Sequence, residues 1–147
     1  MPYKLLAIIA FTGFLAALLC HVMALLGIEP PGGEDVMIPL HIGIFPLWFL
    51  LIISANGTGS STGRANMDRL FAEVPKWIRR ASGFVAGYAV VNFIYFIYRT
   101  SQYPKHKVPF LVVLRGFSGH WMIFYGLSAM GFLGLDRFTR KQKNQTR

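Results

Sequence analysis

The chain has 147 residues, 54% hydrophobic and only 14% charged, with a formal net charge of +9. Ordinary soluble domains carry about 25% charged residues, so long apolar blocks at this composition argue for an integral membrane protein instead. The positive balance does not argue for nucleic acid, because the lysines and arginines flank the apolar blocks, as around membrane helices, rather than forming one stripe.

A spanning helix needs about 20 mainly apolar residues. The first such run, 5–28, is longer than the roughly 7–15 residues of a secretory signal core. Bulky Leu18 and Leu19 before Cys20 suit a lipoprotein cleavage site poorly, so the run reads as a retained anchor. Cys20 is the single cysteine, which excludes an internal disulfide. The connection EPPGGED (29–35) is short and acidic, and Asp35 suits the N-cap of the next helix. The second span is 36–55.

The connection 56–80 has two parts. Its Gly/Ser/Thr run, 56–63, lacks the Lys-Ser/Thr ending of a phosphate loop and the third glycine of a dinucleotide fingerprint, so it reads as a flexible linker. The following stretch places Met67, Leu70, Phe71, Val74, Trp77 and Ile78 on one helical stripe, with Arg69, Glu73, Lys76, Arg79 and Arg80 largely opposite. That pattern predicts an amphipathic helix in the inner headgroup layer, kinked at Pro75; packing against a partner subunit fits it too. The third span, 81–98, carries Gly83-x-x-x-Gly87, a helix-packing pattern, and Asn92, a mid-span polar group expected to hydrogen-bond across the bundle. Tyr88, Tyr95 and Tyr98 recur on it, the last suiting an aromatic belt. The fourth span, 110–135, leads into a basic tail, 136–147.

The runs are continuous rather than alternating, so they are helices, and the expected fold is an all-α four-transmembrane-helix bundle with an interfacial amphipathic helix between spans 2 and 3. The whole chain, 1–147, reads as one transmembrane domain. With both termini cytoplasmic, Lys4, the basic residues of 56–80 and those of the tail lie inside, leaving Arg99, Lys105, Lys107 and Arg115 outside. The sequons at Asn56 and Asn144 then face inward and are set aside.

His21, His41 and His120 all fall within spans. In this orientation His21 lies roughly 10 Å, and His41 roughly 7 Å, from the outer ends of their helices. His120 enters from the same side, so the three approach one layer of the outer half. Neutral imidazoles ligate haem iron, zinc or copper. Gly116, Gly119 and Gly126 would let a flat macrocycle approach the fourth helix, and Arg115 could pair with a haem propionate. Equally, those glycines can serve close helix packing, the histidines can bond neighbouring helices, and Arg115 can snorkel to headgroups. Trp48 and Trp121 read as packing residues.

No carboxylate lies inside a span, and no zinc-protease or Ser–His–Asp pattern is present, so nothing points to an enzyme. The expectation is a small multi-pass membrane protein, a non-catalytic subunit or scaffold of a larger membrane assembly. Its partners would be the bilayer and other membrane subunits, not nucleic acid. The alternative is an electron-transfer protein holding b-type haem or a metal at His21, His41, His120 and Arg115; a small transporter comes third.

Overall fold

The computed structural model describes residues 3–57, 63–104 and 107–145. Part of the glycine-rich linker, the threonines of both sequons and Lys105 lie outside the described residues. Six α-helices account for almost all of the rest: α1 Tyr3–Leu25, α2 Met37–Ile42, α3 Ile44–Asn56, α4 Gly63–Ala72, α5 Lys76–Ser101 and α6 Phe110–Gln145. Four segments, Tyr3–Leu25, Gly33–Asn56, Lys76–Ser101 and Phe110–Gln145, are long and apolar enough to cross a membrane. The all-helical, membrane-like class read from the sequence therefore holds.

The helix ends follow local chemistry rather than hydropathy. At the end of α1, Gly27 adopts φ 74°, while the Ile28 N–H reaches the Met23 carbonyl at 2.9 Å. This is a left-handed glycine cap, and it ends the helix three residues before the apolar run does. Asp35 does not cap the second segment: it sits inside a 3-10 turn, Gly33–Val36, whose backbone feeds α2 without any side-chain cap. The segment is interrupted once, at Gly43, between α2 and α3. The proline ring at Pro46 has no N–H to offer the Ile42 carbonyl, and the Tyr125 hydroxyl donates to the Leu40 carbonyl at 2.9 Å.

The stretch read as one kinked amphipathic helix is two elements. Pro75, extended at φ −52°, ψ 140°, separates α4 from α5. Lysine and arginine are good helix formers, so α5 begins at Lys76, ahead of the apolar run at 81. For the same reason α6 continues ten residues past the run's end at Leu135, and its 36 residues span about 54 Å.

α6 is the hub against which α1, α3, α4 and α5 pack. α1 and α5 run antiparallel to it, pairing His21 with Ser118 and Asn92 with Arg115, whereas α3 runs parallel, with Leu51 over Gly131. Close approach is bought with small residues. A Cβ at Gly13 would overlap the Tyr125 ring, one at Gly116 the Phe96 ring, and one at Gly134 the Leu70 backbone. Between these contacts lie fully buried Ala10, Ala17, Leu114, Trp121 and Phe132. On α4, Leu70 and neighbouring Val74 turn into the chain's own bundle, being 0% and 2% exposed, while Trp77 from the same predicted stripe points outward.

Candidate functional site

Two polar clusters flank the first turns of α6. The first begins with His21, 2% exposed near the end of α1. Its Nδ1 lies 2.9 Å from Ser118 Oγ and its Nε2 2.5 Å from the Tyr88 hydroxyl. The Ser118 hydroxyl donates to the Arg115 carbonyl at 3.1 Å, so it must accept from the imidazole. That requirement makes Nδ1 the donor to Ser118, and in the neutral imidazole Nε2 then accepts the Tyr88 proton. One directed chain therefore links α5, α1 and α6, from Tyr88 through His21 and Ser118 to the Arg115 backbone.

Asn92 closes the cluster. Its Nδ2 donates to the same Arg115 carbonyl at 2.9 Å, and its Oδ1 accepts from Arg115 Nε at 3.1 Å. The expected cross-bundle hydrogen bond of Asn92 is thus present, and it is reciprocal. The Arg115 guanidinium lies over the Tyr95 ring, 4.2 Å from its centroid, a cation–π contact that holds the charge against α5.

The second cluster is built on α2. Trp121 Nε1–H donates to His41 Nδ1 at 3.2 Å, leaving the His41 proton on Nε2. The His41 and His120 rings are nearly parallel, 12° apart with centroids at 6.4 Å, and Phe45 and Phe117 pack edge-on against His41. His120 is exposed and rests on Phe124, centroid to centroid 4.5 Å. The His21 ring is held through both nitrogens, the His41 ring by one hydrogen bond and its aromatic neighbours.

The sequence-derived candidates are therefore partitioned. His41 and His120 come together; His21 stands apart with Arg115, on the flank of α6 that faces α1 and α5. Among the described residues no three histidine, cysteine or carboxylate groups converge on one point. Ligation through His21 would break one of its two hydrogen bonds, and Arg115 has its Nε committed to Asn92. The arrangement supports directed hydrogen bonding between helices, with imidazole as both donor and acceptor.

Three participants escaped the reading of the sequence. Ser118 and Tyr88 are the partners of His21, and Trp121 is a hydrogen-bond donor as well as a packing residue. A signal existed for Ser118, a small polar residue between Gly116 and the Gly119–His120 pair. Its partner depends on the α1–α6 register, which periodicity does not encode. Searches against family models, curated proteins and solved structures found no match to this chain. The site's chemistry is consequently read from its geometry alone.

Proposed function

We propose that the chain is a non-catalytic subunit of a larger membrane assembly, crossing the bilayer four times with both termini in the cytoplasm. α4 lies at the inner surface, and α5 is the helix that docks a neighbouring subunit's transmembrane helix. One observation carries this reading. Glycines across the rest of the bundle are occupied: Gly13, Gly43, Gly116, Gly119, Gly131 and Gly134 each sit under a side chain or backbone of another helix. Gly83 and Gly87 on α5 have nothing within 4 Å of where a Cβ would stand.

Small residues in a transmembrane helix let a second backbone approach closely. Gly83 and Gly87 continue through Val90, Ile94 and Ile97 in three- and four-residue steps, all three apolar side chains being exposed. The stripe lies opposite the inward Ala89 and Asn92. The polar clusters then serve to fix α1, α2 and α5 on α6, so that the docking helix is presented in one orientation.

The test is native electrophoresis of the protein extracted from its membrane in mild detergent. A complex larger than the monomer is expected, and Gly83→Leu/Gly87→Leu should dissociate it while leaving helical content and the unfolding midpoint unchanged. A wild-type chain that migrates as a monomer, or a double variant that remains assembled, would overturn the proposal.

A further inference from the structure

We propose that the cavity between Arg99 and Arg115 is a binding site for a phosphate group. Antiparallel packing brings the last turns of α5 against the first two turns of α6, and a cavity of about 140 Å³ opens between them, lined by Ala24, Tyr95, Phe96, Arg99, Leu111, Val112 and Arg115. Its volume equals that of several liquid waters at about 30 Å³ each, room enough for a tetrahedral oxyanion. Ala24 keeps one wall shallow, and Leu111 and Val112 make another apolar.

Two arginines line this one small space, and neither has an acidic partner among the described residues. Among the described residues the ion pairs are Arg140–Asp136 and Lys141–Glu73, both beyond the opposite end of the spanning region. Each arginine is positioned by neutral groups instead: Arg115 by Asn92 and the Tyr95 ring, Arg99 by the Tyr103 hydroxyl at 3.2 Å. Such contacts orient a cation without neutralising it. Two like charges near one another in apolar surroundings raise each other's energy, and an anion between them reverses the sign of that interaction.

Phosphate suits a pair of arginines on two helices better than carboxylate does. Arg115 has already spent its Nε on Asn92, which removes the Nε–Nη edge from a planar bidentate carboxylate pairing. The two arginines belong to different helices, α5 and α6, and line the same cavity. A phosphate group presents its acceptor oxygens tetrahedrally and can meet both arginines at once. The shared chemistry is the phosphate oxyanion, carried either by a lipid headgroup or by free phosphate.

The experiment titrates the detergent-solubilised full chain with three probes: inorganic phosphate, dihexanoyl phosphatidic acid and dihexanoylglycerol. Binding is read by native mass spectrometry and by the thermal unfolding midpoint. Phosphatidic acid should bind and raise the midpoint, whereas dihexanoylglycerol should do neither. Arg99→Gln should weaken that binding at least about tenfold, the scale of one charged hydrogen bond, with Arg99→Lys intermediate. Arg115→Gln also breaks the Asn92 clamp, so Arg99→Gln is the decisive variant. Protection by phosphatidic acid alone identifies a lipid headgroup, and equal protection by inorganic phosphate identifies a free anion; both uphold the site. Failure of both phosphate probes to bind, or unaltered binding by Arg99→Gln, would overturn it.

Discussion

α5 and α6 are both long helices with glycines inside their apolar stretches, yet they spend them in opposite ways. α6 is surrounded: α1, α3, α4 and α5 lie against it, and Gly116, Gly119, Gly131 and Gly134 are the places where neighbours press closest. α5 is attached along one side, burying Ala89 and Asn92 fully while Phe84 stands 81% exposed. The difference teaches that a small residue in a membrane helix records a neighbour's approach. On α6 the neighbours belong to the same chain; on α5 Gly83 and Gly87 face open space, the face on which the proposed docking depends.

The sharpest way to break this comparison is to give both helices the same extra side chain. In Gly134→Val the new Cβ meets the backbone of Leu70, which a rotamer change cannot move aside. Overpacking of this kind costs about 1–3 kcal/mol, and a backbone clash belongs at the upper end. Gly87→Val adds the same atoms to open space and should change stability by less than about 0.5 kcal/mol. Unfolding in mixed micelles of rising dodecyl sulfate content measures both. Equal losses would mean that α5 is packed within the monomer after all.

How legible this was in the sequence depends on which coordinate is asked for. Position along the chain was legible: four apolar runs located the four segments long and apolar enough to cross a membrane, and the histidines expected at one level meet α6 within one turn, His21 at Ser118 and His41 at Trp121. Helix ends were less so, because Lys76–Arg80 and the stretch after Leu135 are polar but still helix-favouring, and hydropathy stops where propensity does not. Rotation about the helix axis was not legible. Ser118 and Trp121 are three residues apart on α6, and nothing in their spacing says that one meets α1 and the other α2. Asn92 was recognisable because a carboxamide in mid-span has to find a partner wherever it points. Asp35 misled for a local reason, since a 3-10 turn replaced the cap it would have made.

The two histidine clusters supply the intermediate effect. His21→Ala removes an acceptor and a donor together, leaving Ser118 buried and Tyr88 without its partner. Stranding buried hydrogen-bonding groups costs about 1–3 kcal/mol, and the same micelle titration should show a loss within that range. His120→Ala removes an exposed ring that rests on Phe124, and the expected change is about 0.5 kcal/mol or less. If the two variants lose equal stability, the two flanks of α6 are not energetically distinct and the partition of the histidines fails.

The smallest effect is expected where α6 leaves the apolar region. Lys141 Nζ meets Glu73 Oε2 at 2.5 Å, and Arg137 donates to the Glu73 carbonyl at 3.2 Å, so the polar extension of α6 ties down the end of α4. The Lys141 side chain is 66% exposed. Water and salt therefore screen its charge, and ordering a long flexible side chain offsets part of the attraction. Exposed pairs of this kind contribute about 0–1 kcal/mol, so Lys141→Ala should cost about 0.5 kcal/mol at low ionic strength. The Debye length falls from about 10 Å at 0.1 M to about 3 Å at 1 M, and the gap between variant and wild type should narrow over that range. The Gly134→Val loss, being steric, should not respond to salt. A Lys141→Ala effect that matched Gly134→Val and ignored salt would show that the α6 extension holds α4 by packing rather than by charge.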